Sequence, residues 1–191
     1  MTRCPALLPG SVLCVLLTAA CSPAPESASL ACDADTTPIS EVQGTDWSSP
    51  LENQPITVRG IVTMLEPGRG FYLEELVGGK REAASRALFI ADDGRLSGIR
   101  PGQELLLSGV VEETGSERDT ITALAAVQSS AVCAENRELP LTTAEMPLGN
   151  RAREALEGMR IRVAGKPVVT DTYSLYRGVV TLSEGGTLRI P

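Results

Sequence analysis

Between residues 56 and 127 the chain alternates apolar and polar positions in short runs, which is the pattern of half-buried β-strands. The first run, ITVRGIVTM, is rich in β-branched residues that favour extended backbone. Turns that contain glycine or proline separate the runs. The predicted strands are 56–64, 71–76, 87–91, 104–112 and 120–127.

Short strands with glycine-rich turns and almost no helical periodicity predict an all-β fold, for which a five-stranded OB-fold barrel is the best match. A β-sandwich accounts for the same pattern and is the structural alternative. One short helix closed by Gly158 and two further strands are predicted after the barrel, at 150–158, 159–163 and 178–182. The OB-fold domain is assigned to 38–133, and a partial β-rich extension or the start of a second OB-like domain to 134–191.

The amino-terminal residues have the features of an export signal, with a basic Arg3, a short apolar run at 13–17 and small residues before Cys21. The apolar run is too short to span a bilayer as a helix. Cys21 resembles the lipidated cysteine of a bacterial lipobox. We therefore expect a signal peptide at 1–20 and a lipid-anchored tether at 21–37. This predicts an exported envelope protein held at the outer membrane or cell surface, or a secreted one if an ordinary signal is cleaved nearby.

The five cysteines leave one pair for the mature domain. Cys4 and Cys14 are removed with the signal and Cys21 is assigned to lipidation, so that Cys32 and Cys133 remain. An even remainder in an oxidising compartment predicts a disulfide between them. Closing a loop of roughly 100 residues would stabilise the fold by about 4–5 kcal/mol in the chain-entropy model.

Composition narrows the classes of function. The formal net charge of −7 argues against general affinity for polyanions, so any nucleic-acid contact must be local. The chain has no histidine and no carboxylates at metal-binding spacing, so no catalytic residue, metal or cofactor is predicted. Aromatic residues are scarce, and each is therefore noticeable. Trp47 is expected to anchor the segment before the first strand, whereas Tyr173 and Tyr176 fall in a late loop where they are candidates for ligand contact.

A series of segments in a fixed order carries a family resemblance that covers most of the mature chain. The segments are 38–44, 49–51, 58–63 and 70–74 in the barrel, and 139–141, 154–161 and 168–173 after it. They resemble the OB-fold module of secreted bacterial nucleases of the ExeM/NucH type. In that family, phosphodiester hydrolysis belongs to a downstream endonuclease/exonuclease/phosphatase domain with histidines, carboxylates and a divalent metal. No part of that domain is recognisable in this sequence, so the resemblance implies a module without the catalytic site.

The barrel prediction places a candidate binding surface around the second and third strands, where OB-folds bind their ligands. On the second strand Phe71 and Leu73 share one face, and Tyr72 lies on the other. Tyr72 is therefore the candidate stacking residue for a base. A tyrosine packed at the barrel rim is an equally good interpretation.

Cations near these strands are candidates for phosphate contact. The glycine-rich loop after the second strand carries Lys80 and Arg81, and Arg86 precedes the third strand. Four further cations belong to the same neighbourhood: Arg59, Arg69, Arg95 and Arg100. Acidic residues alternate with all these cations, so an ordinary solvated surface of mixed charge accounts for them as well.

These observations support three hypotheses. The first is an exported, lipid-anchored OB-fold accessory module related to extracellular nucleases, which contacts single-stranded nucleic acid or positions a nuclease domain. The second is a truncated extracellular endonuclease whose catalytic part lies outside this sequence. The third is a structural lipoprotein that contacts another envelope protein.

Overall fold

The computed structural model describes residues 30–76, 83–92, 94–116 and 119–183. Five strands close into a barrel in the order β1-β2-β3-β5-β4, and β4 pairs with β1 to complete the ring. Only β3 and β5 pair in parallel, and the other neighbours are antiparallel. The predicted all-β, five-stranded OB-fold is confirmed. The strands are β1 (Pro55–Glu66), β2 (Gly70–Glu74), β3 (Ala87–Ala91), β4 (Glu104–Ser116) and β5 (Asp119–Ala134).

The barrel interior is filled by residues at every second position of the strands, as the period of two requires. On β1 these include Val58 and Val62, and on β2 they are Phe71 and Leu73, all almost fully buried. Burying large apolar side chains of this kind stabilises a fold by about 1.5–3 kcal/mol each. The alternation that predicted the strands is therefore the same feature that builds the core.

Two glycines allow the strands to approach closely. Gly70 starts β2 at φ 144°, and a Cβ there would overlap the carbonyl oxygen of Ile90 on β3. Gly109 lies at the bulge in the β4–β5 pairing, where a Cβ would come within 2.6 Å of the carbonyl oxygen of Ala125. Both positions need glycine because the neighbouring backbone occupies the space of a side chain.

A five-residue helix, α1 (Ile39–Gln43), precedes the barrel and adds Ile39 and Val42 to its core. The sequence did not predict this helix because five residues are too few for a helical period to be visible. The expected anchoring role of Trp47 is wrong, since its side chain is 56% exposed. The segment is held instead by Ser49, whose backbone N–H donates a 2.8 Å hydrogen bond to the Glu113 carboxylate.

A disulfide joins Cys32 and Cys133, as the sequence predicts, with a Cα–Cα distance of 5.6 Å. Cys133 lies near the end of β5, and Cys32 precedes the first helix. The bond spans a sequence separation of 101 residues and therefore ties the beginning of the described chain to the last strand of the barrel.

The extension after the barrel forms two small sheets rather than a second closed barrel within the described residues. Strands β6 and β7 pair in parallel, and β8 and β9 form an antiparallel hairpin whose connection includes a 3₁₀ turn (Leu175–Arg177). The elements are β6 (Thr142–Ala144), α2 (Asn150–Glu154), β7 (Ile161–Val163), β8 (Val168–Asp171) and β9 (Thr181–Ser183). No helix in the described part of the chain is long and apolar enough to cross a membrane.

Predictions for the extension were less accurate than those for the barrel. The helix expected to run to Gly158 ends at Glu154, and turns lead from there to the glycine. The strand expected at 159–163 begins at Ile161, the strand expected at 178–182 is Thr181–Ser183, and β6 and β8 were not predicted. Runs of three or four residues are too short for alternation to define a strand.

Candidate nucleic-acid interface

The outer face of β2 and β3 carries an aromatic pair. Tyr72 on β2 lies directly opposite Phe89 on β3, and the two ring centroids are 5.0 Å apart with tilted planes. This arrangement is typical of favourable aromatic contacts. Tyr72 is half-buried and Phe89 is 4% exposed, so the tyrosine is the member of the pair that reaches the surface.

Arg69 extends this face toward the turn between β1 and β2. Its guanidinium carbon lies 5.7 Å from the centre of the Phe89 ring, within the range of a cation–π contact. The same guanidinium forms a 2.8 Å ion pair with Glu66, and the Arg69 side chain is 66% exposed. Because an exposed pair of this kind is worth about 0–1 kcal/mol, Glu66 is an easily exchanged partner for the arginine.

A cleft of about 360 Å³ opens beside Arg69 at this end of the barrel. Its walls come from the β1–β2 turn, the end of β3, the segment after β3 and the bulged part of β5. The lining residues are Gly68, Arg69, Ala91, Asp92, Arg95, Leu96 and residues 125–127. The Asp92 carboxylate accepts backbone N–H groups from Arg95 at 3.0 Å and Leu96 at 3.2 Å, which fixes the wall that carries the second arginine. The cleft therefore combines two cations with an apolar wall.

Ala126 gives the β5 wall an unusual backbone. It has φ 47°, a left-handed conformation that non-glycine residues rarely adopt, and it lies within the irregular stretch of β5 where the pairing steps from Ser108–Ser129 to Val110–Ala125. Bulges and strained residues are concentrated beside functional sites, where they redirect the chain. The strained backbone in the wall of the cleft therefore favours a functional role for this end of the barrel.

The chain itself covers the other half of the β2–β3 face. Residues 157–160 cross it, and the backbone N–H of Arg160 donates a 3.1 Å hydrogen bond to the Glu74 carboxylate. The Ser85 hydroxyl donates to the carbonyl oxygen of Glu157 at 2.6 Å. Gly158 lies so close to Tyr72 that a Cβ on it would be 2.8 Å from the tyrosine ring. One side of Tyr72 is therefore occupied, and the side toward Arg69 carries the open cleft.

The structure places two of the four candidate contact residues named from the sequence. Tyr72 lies on the other face of β2 from Phe71 and Leu73 and is half-buried, packed against Phe89 and Gly158. Arg86 lies 3.9 Å from Glu74 and donates a 2.9 Å hydrogen bond to the Thr142 hydroxyl, so it joins the barrel to the extension. Lys80 and Arg81 lie outside the described residues. Arg69 and Arg95 were recognised in the sequence only as part of a mixed-charge group, and Phe89 and the covering segment were not singled out.

Burial shifts the pKa of several groups near the covered face. Glu157 accepts hydrogen bonds from the Thr122 backbone at 3.3 Å and the Gln43 amide at 3.5 Å. Burial, followed by repulsion from Glu154 and Glu113, outweighs these bonds and raises the pKa of Glu157 to about 7. Beneath Arg160, burial also raises the pKa of Glu74, which is a carboxyl with a side chain only 1% exposed.

No group of three or more His, Cys, Asp or Glu side chains among the residues described is arranged to hold a metal ion. The cleft is lined by two arginines, the carboxylate of Asp92 and apolar side chains, and the Tyr72–Phe89 pair lies beside it through the contact of Arg69 with Phe89. Fold and site together define a class: an OB-fold protein with a small mixed-charge cleft at the β1–β2 end of its barrel. No known family model matches the chain, and no match was found among curated proteins.

Proposed function

We propose that this chain is an exported, lipid-anchored OB-fold module that binds single-stranded nucleic acid and has no catalytic role of its own. The observation that carries the proposal is the series of contacts from the half-buried Tyr72 through the buried Phe89 to the exposed Arg69, which lines the cleft together with Arg95. Base stacking on an aromatic ring and phosphate contact with arginine are the usual means by which OB-folds hold single strands.

The anchoring part of the proposal is supported by the sequence of the first 37 residues. A short apolar run followed by Cys21 fits a lipidated export signal, and the disulfide between Cys32 and Cys133 fits an oxidising compartment. A module of this kind would hold nucleic acid near the cell surface, where the family that the sequence resembles carries out extracellular hydrolysis with a separate domain.

The small number of cations limits the strength of the interaction. The chain carries a formal net charge of −7, so binding depends on the local pair Arg69 and Arg95 rather than on a broad positive field. Neutralising two phosphates of a single strand gives a slope of about −1.4 for the logarithm of the association constant against the logarithm of salt concentration. Weak binding with a shallow salt dependence is therefore expected.

The test is fluorescence anisotropy with a labelled single-stranded oligonucleotide and the mature chain from Ser22 onward, repeated over a salt series. We expect Arg69→Ala to weaken binding by about tenfold at low salt and to reduce the salt slope by about 0.7. Lys80→Ala/Arg81→Ala tests the two loop cations. Arg151→Ala, which removes the same charge from α2 without lining the cleft, is the matched control and should bind as the unmodified chain does.

An absence of binding at low salt would reject this function. It would favour a scaffold role, in which the module contacts another envelope protein, because residues 157–160 occupy part of the face that OB-folds use for ligands. Binding that Arg69→Ala and Arg151→Ala weaken equally would indicate general electrostatic attraction instead of the proposed site.

A further inference from the structure

The β8–β9 hairpin exposes more large apolar side chains than any other described segment. Tyr173 is 82% exposed, Leu175 is 58% exposed and Val179 is 53% exposed, and all three belong to the connection between the strands. Val168, Val169, Tyr176 and Val180 are also exposed. A concentration of exposed apolar residues in one segment marks an interaction surface.

The tip of this hairpin is an ordered turn. The Asp171 carboxylate accepts the backbone N–H of Tyr173 at 2.8 Å, and the N–H of Leu175 donates to the carbonyl oxygen of Thr172 at 3.0 Å. The N–H of Gly178, at φ 77°, donates to the carbonyl of Leu175 at 2.8 Å and ends the 3₁₀ turn. Backbone groups bonded in this way can enter a less polar medium at lower cost, since fewer of them lose water without a replacement partner.

The charge of the residues from β7 through this hairpin is opposite in sign to that of the whole chain. Residues 161–183 contain the basic residues Arg162, Lys166 and Arg177 and a single acidic residue, Asp171, whereas the formal net charge of the chain is −7. Tyrosine and aliphatic residues beside basic ones are the composition that associates with the surface of an anionic bilayer. Within the hairpin Arg177 is balanced by Asp171, so the attraction to an anionic bilayer comes from Arg162 and Lys166, which precede β8.

We propose that the tip of the β8–β9 hairpin docks on an anionic lipid bilayer and seats Tyr173, Leu175 and Val179 at the interface. The hairpin can bind a bilayer without Cys21, but the claim that a membrane lies close to it in the cell rests on the proposed lipid anchor. Cys21 and Cys32 are 11 positions apart in sequence, a stretch that spans at most about 40 Å when extended, so a lipidated Cys21 would keep the barrel close to the membrane. The hairpin would then provide a second contact, which is the combination that stable membrane attachment needs.

The first test is sedimentation of the chain from Ser22 onward with vesicles of phosphatidylcholine and phosphatidylglycerol in equal amounts. Without Cys21, no acyl chain contributes. We expect the protein to bind these vesicles and to bind phosphatidylcholine vesicles more weakly. Tyr173→Ser/Leu175→Ser should reduce the partition coefficient by about tenfold or more. Val132→Ser, which removes a 52% exposed apolar residue from β5, is the control and should bind as before.

A second measurement reports directly on the tip. In a Trp47→Phe background, Tyr173→Trp should show a blue shift of its fluorescence on the mixed vesicles and quenching by brominated lipid. Absence of both signals, or equal vesicle binding by the hairpin double variant and the unmodified chain, would overturn the proposal. Concentration-dependent self-association that the double variant abolishes, without vesicle binding, would assign the surface to a second copy and would also overturn it. Oligonucleotide binding by the same variant should be unchanged, which separates this result from the proposed function.

Discussion

Gly158 lies against Tyr72 at φ 66°, and both its conformation and its close approach depend on the absence of a side chain. We predict that Gly158→Ala lowers the free energy of unfolding by about 2–5 kcal/mol, because left-handed backbone costs about 1–2 kcal/mol and overlap with the ring about 1–3 kcal/mol. Chemical denaturation in urea measures this change.

Gly68→Ala is the matched control for this prediction. Gly68 has φ 77°, and no atom lies within 4 Å of the position that its Cβ would occupy. It should therefore show the conformational cost without the steric cost. Equal losses for the two variants would mean that residues 157–160 do not pack closely on the β2–β3 face.

Arg86 is the cation beside the buried carboxylate of Glu74, although its sequence position suggested phosphate contact. We predict that Arg86→Ala lowers the free energy of unfolding by about 3 kcal/mol at neutral pH, because it removes the cation that is paired with a buried carboxylate. The loss should be smaller in acid, where Glu74 is protonated. Arg69→Ala, at an exposed ion pair, should cost under about 1 kcal/mol in the same urea titration. If the two variants cost the same at neutral pH, this structural role of Arg86 is refuted.

At the residue scale, the sequence predicts which face of a strand a side chain lies on better than it predicts which residues that side chain contacts. The alternation of side chains along β2 was enough to place Tyr72 on the other face of the strand from Phe71 and Leu73. The hydrogen bond from Arg86 to Thr142 joins residues 56 positions apart, and no local pattern contains that information. The assignment of Arg86 to phosphate contact therefore missed the ion pair and hydrogen bond that it makes within the molecule.

At the element scale, we predict that the stability gained from the contact between residues 157–160 and the barrel depends on pH. The pKa of Glu157 is raised to about 7, so the folded state holds a proton that the unfolded chain releases near its ordinary value of about 4.5. The stability from the protonated carboxyl is complete below the unfolded pKa and is lost as the pH rises through 7. We expect Glu157 to lower the free energy of unfolding by roughly 2 kcal/mol over this interval. This is less than the whole pKa shift would give, because the residue is only partly buried and solvent screens its charge.

Glu157→Gln tests this linkage. The amide keeps an oxygen for the Thr122 N–H and carries no charge at any pH, so the variant should lose stability less steeply between pH 5 and about pH 7.5 than the unmodified protein does. Because the pKa values of Glu74 and Glu75 are also raised by burial, the free energy of unfolding of the variant should still fall with pH, but less steeply. Parallel stability curves for the two proteins would show that Glu157 does not change its protonation on folding.

The five barrel strands were predictable because each presents enough alternating residues to the core for the period to be visible. The covering segment was not, since its contacts run from Glu157 to Thr122 and from Arg160 to Glu74 across large sequence separations. The β2–β3 face, which the barrel strands alone would leave open, is therefore half-covered by residues 157–160.

At the scale of the whole molecule, the disulfide between Cys32 and Cys133 stabilises the connection between the chain start and β5. We predict that Cys32→Ser/Cys133→Ser lowers the free energy of unfolding by about 2–5 kcal/mol, chiefly because a long loop in the unfolded chain is no longer closed. Urea unfolding of the double variant, compared with the unmodified protein in the presence and absence of reductant, measures the loss. Insensitivity of the unmodified protein to reductant under unfolding conditions would show that the bond does not form.

The central claim is that the open end of the β2–β3 face binds single-stranded nucleic acid. Its most direct test is a chemical-shift map of the isotopically labelled chain from Ser22 onward, titrated with a short oligothymidylate. We predict shifts at residues 68–72, 91–92, 95–96 and 125–127, with α2 unaffected. No shift at these positions at low salt, or shifts confined to the β8–β9 hairpin, would contradict the account.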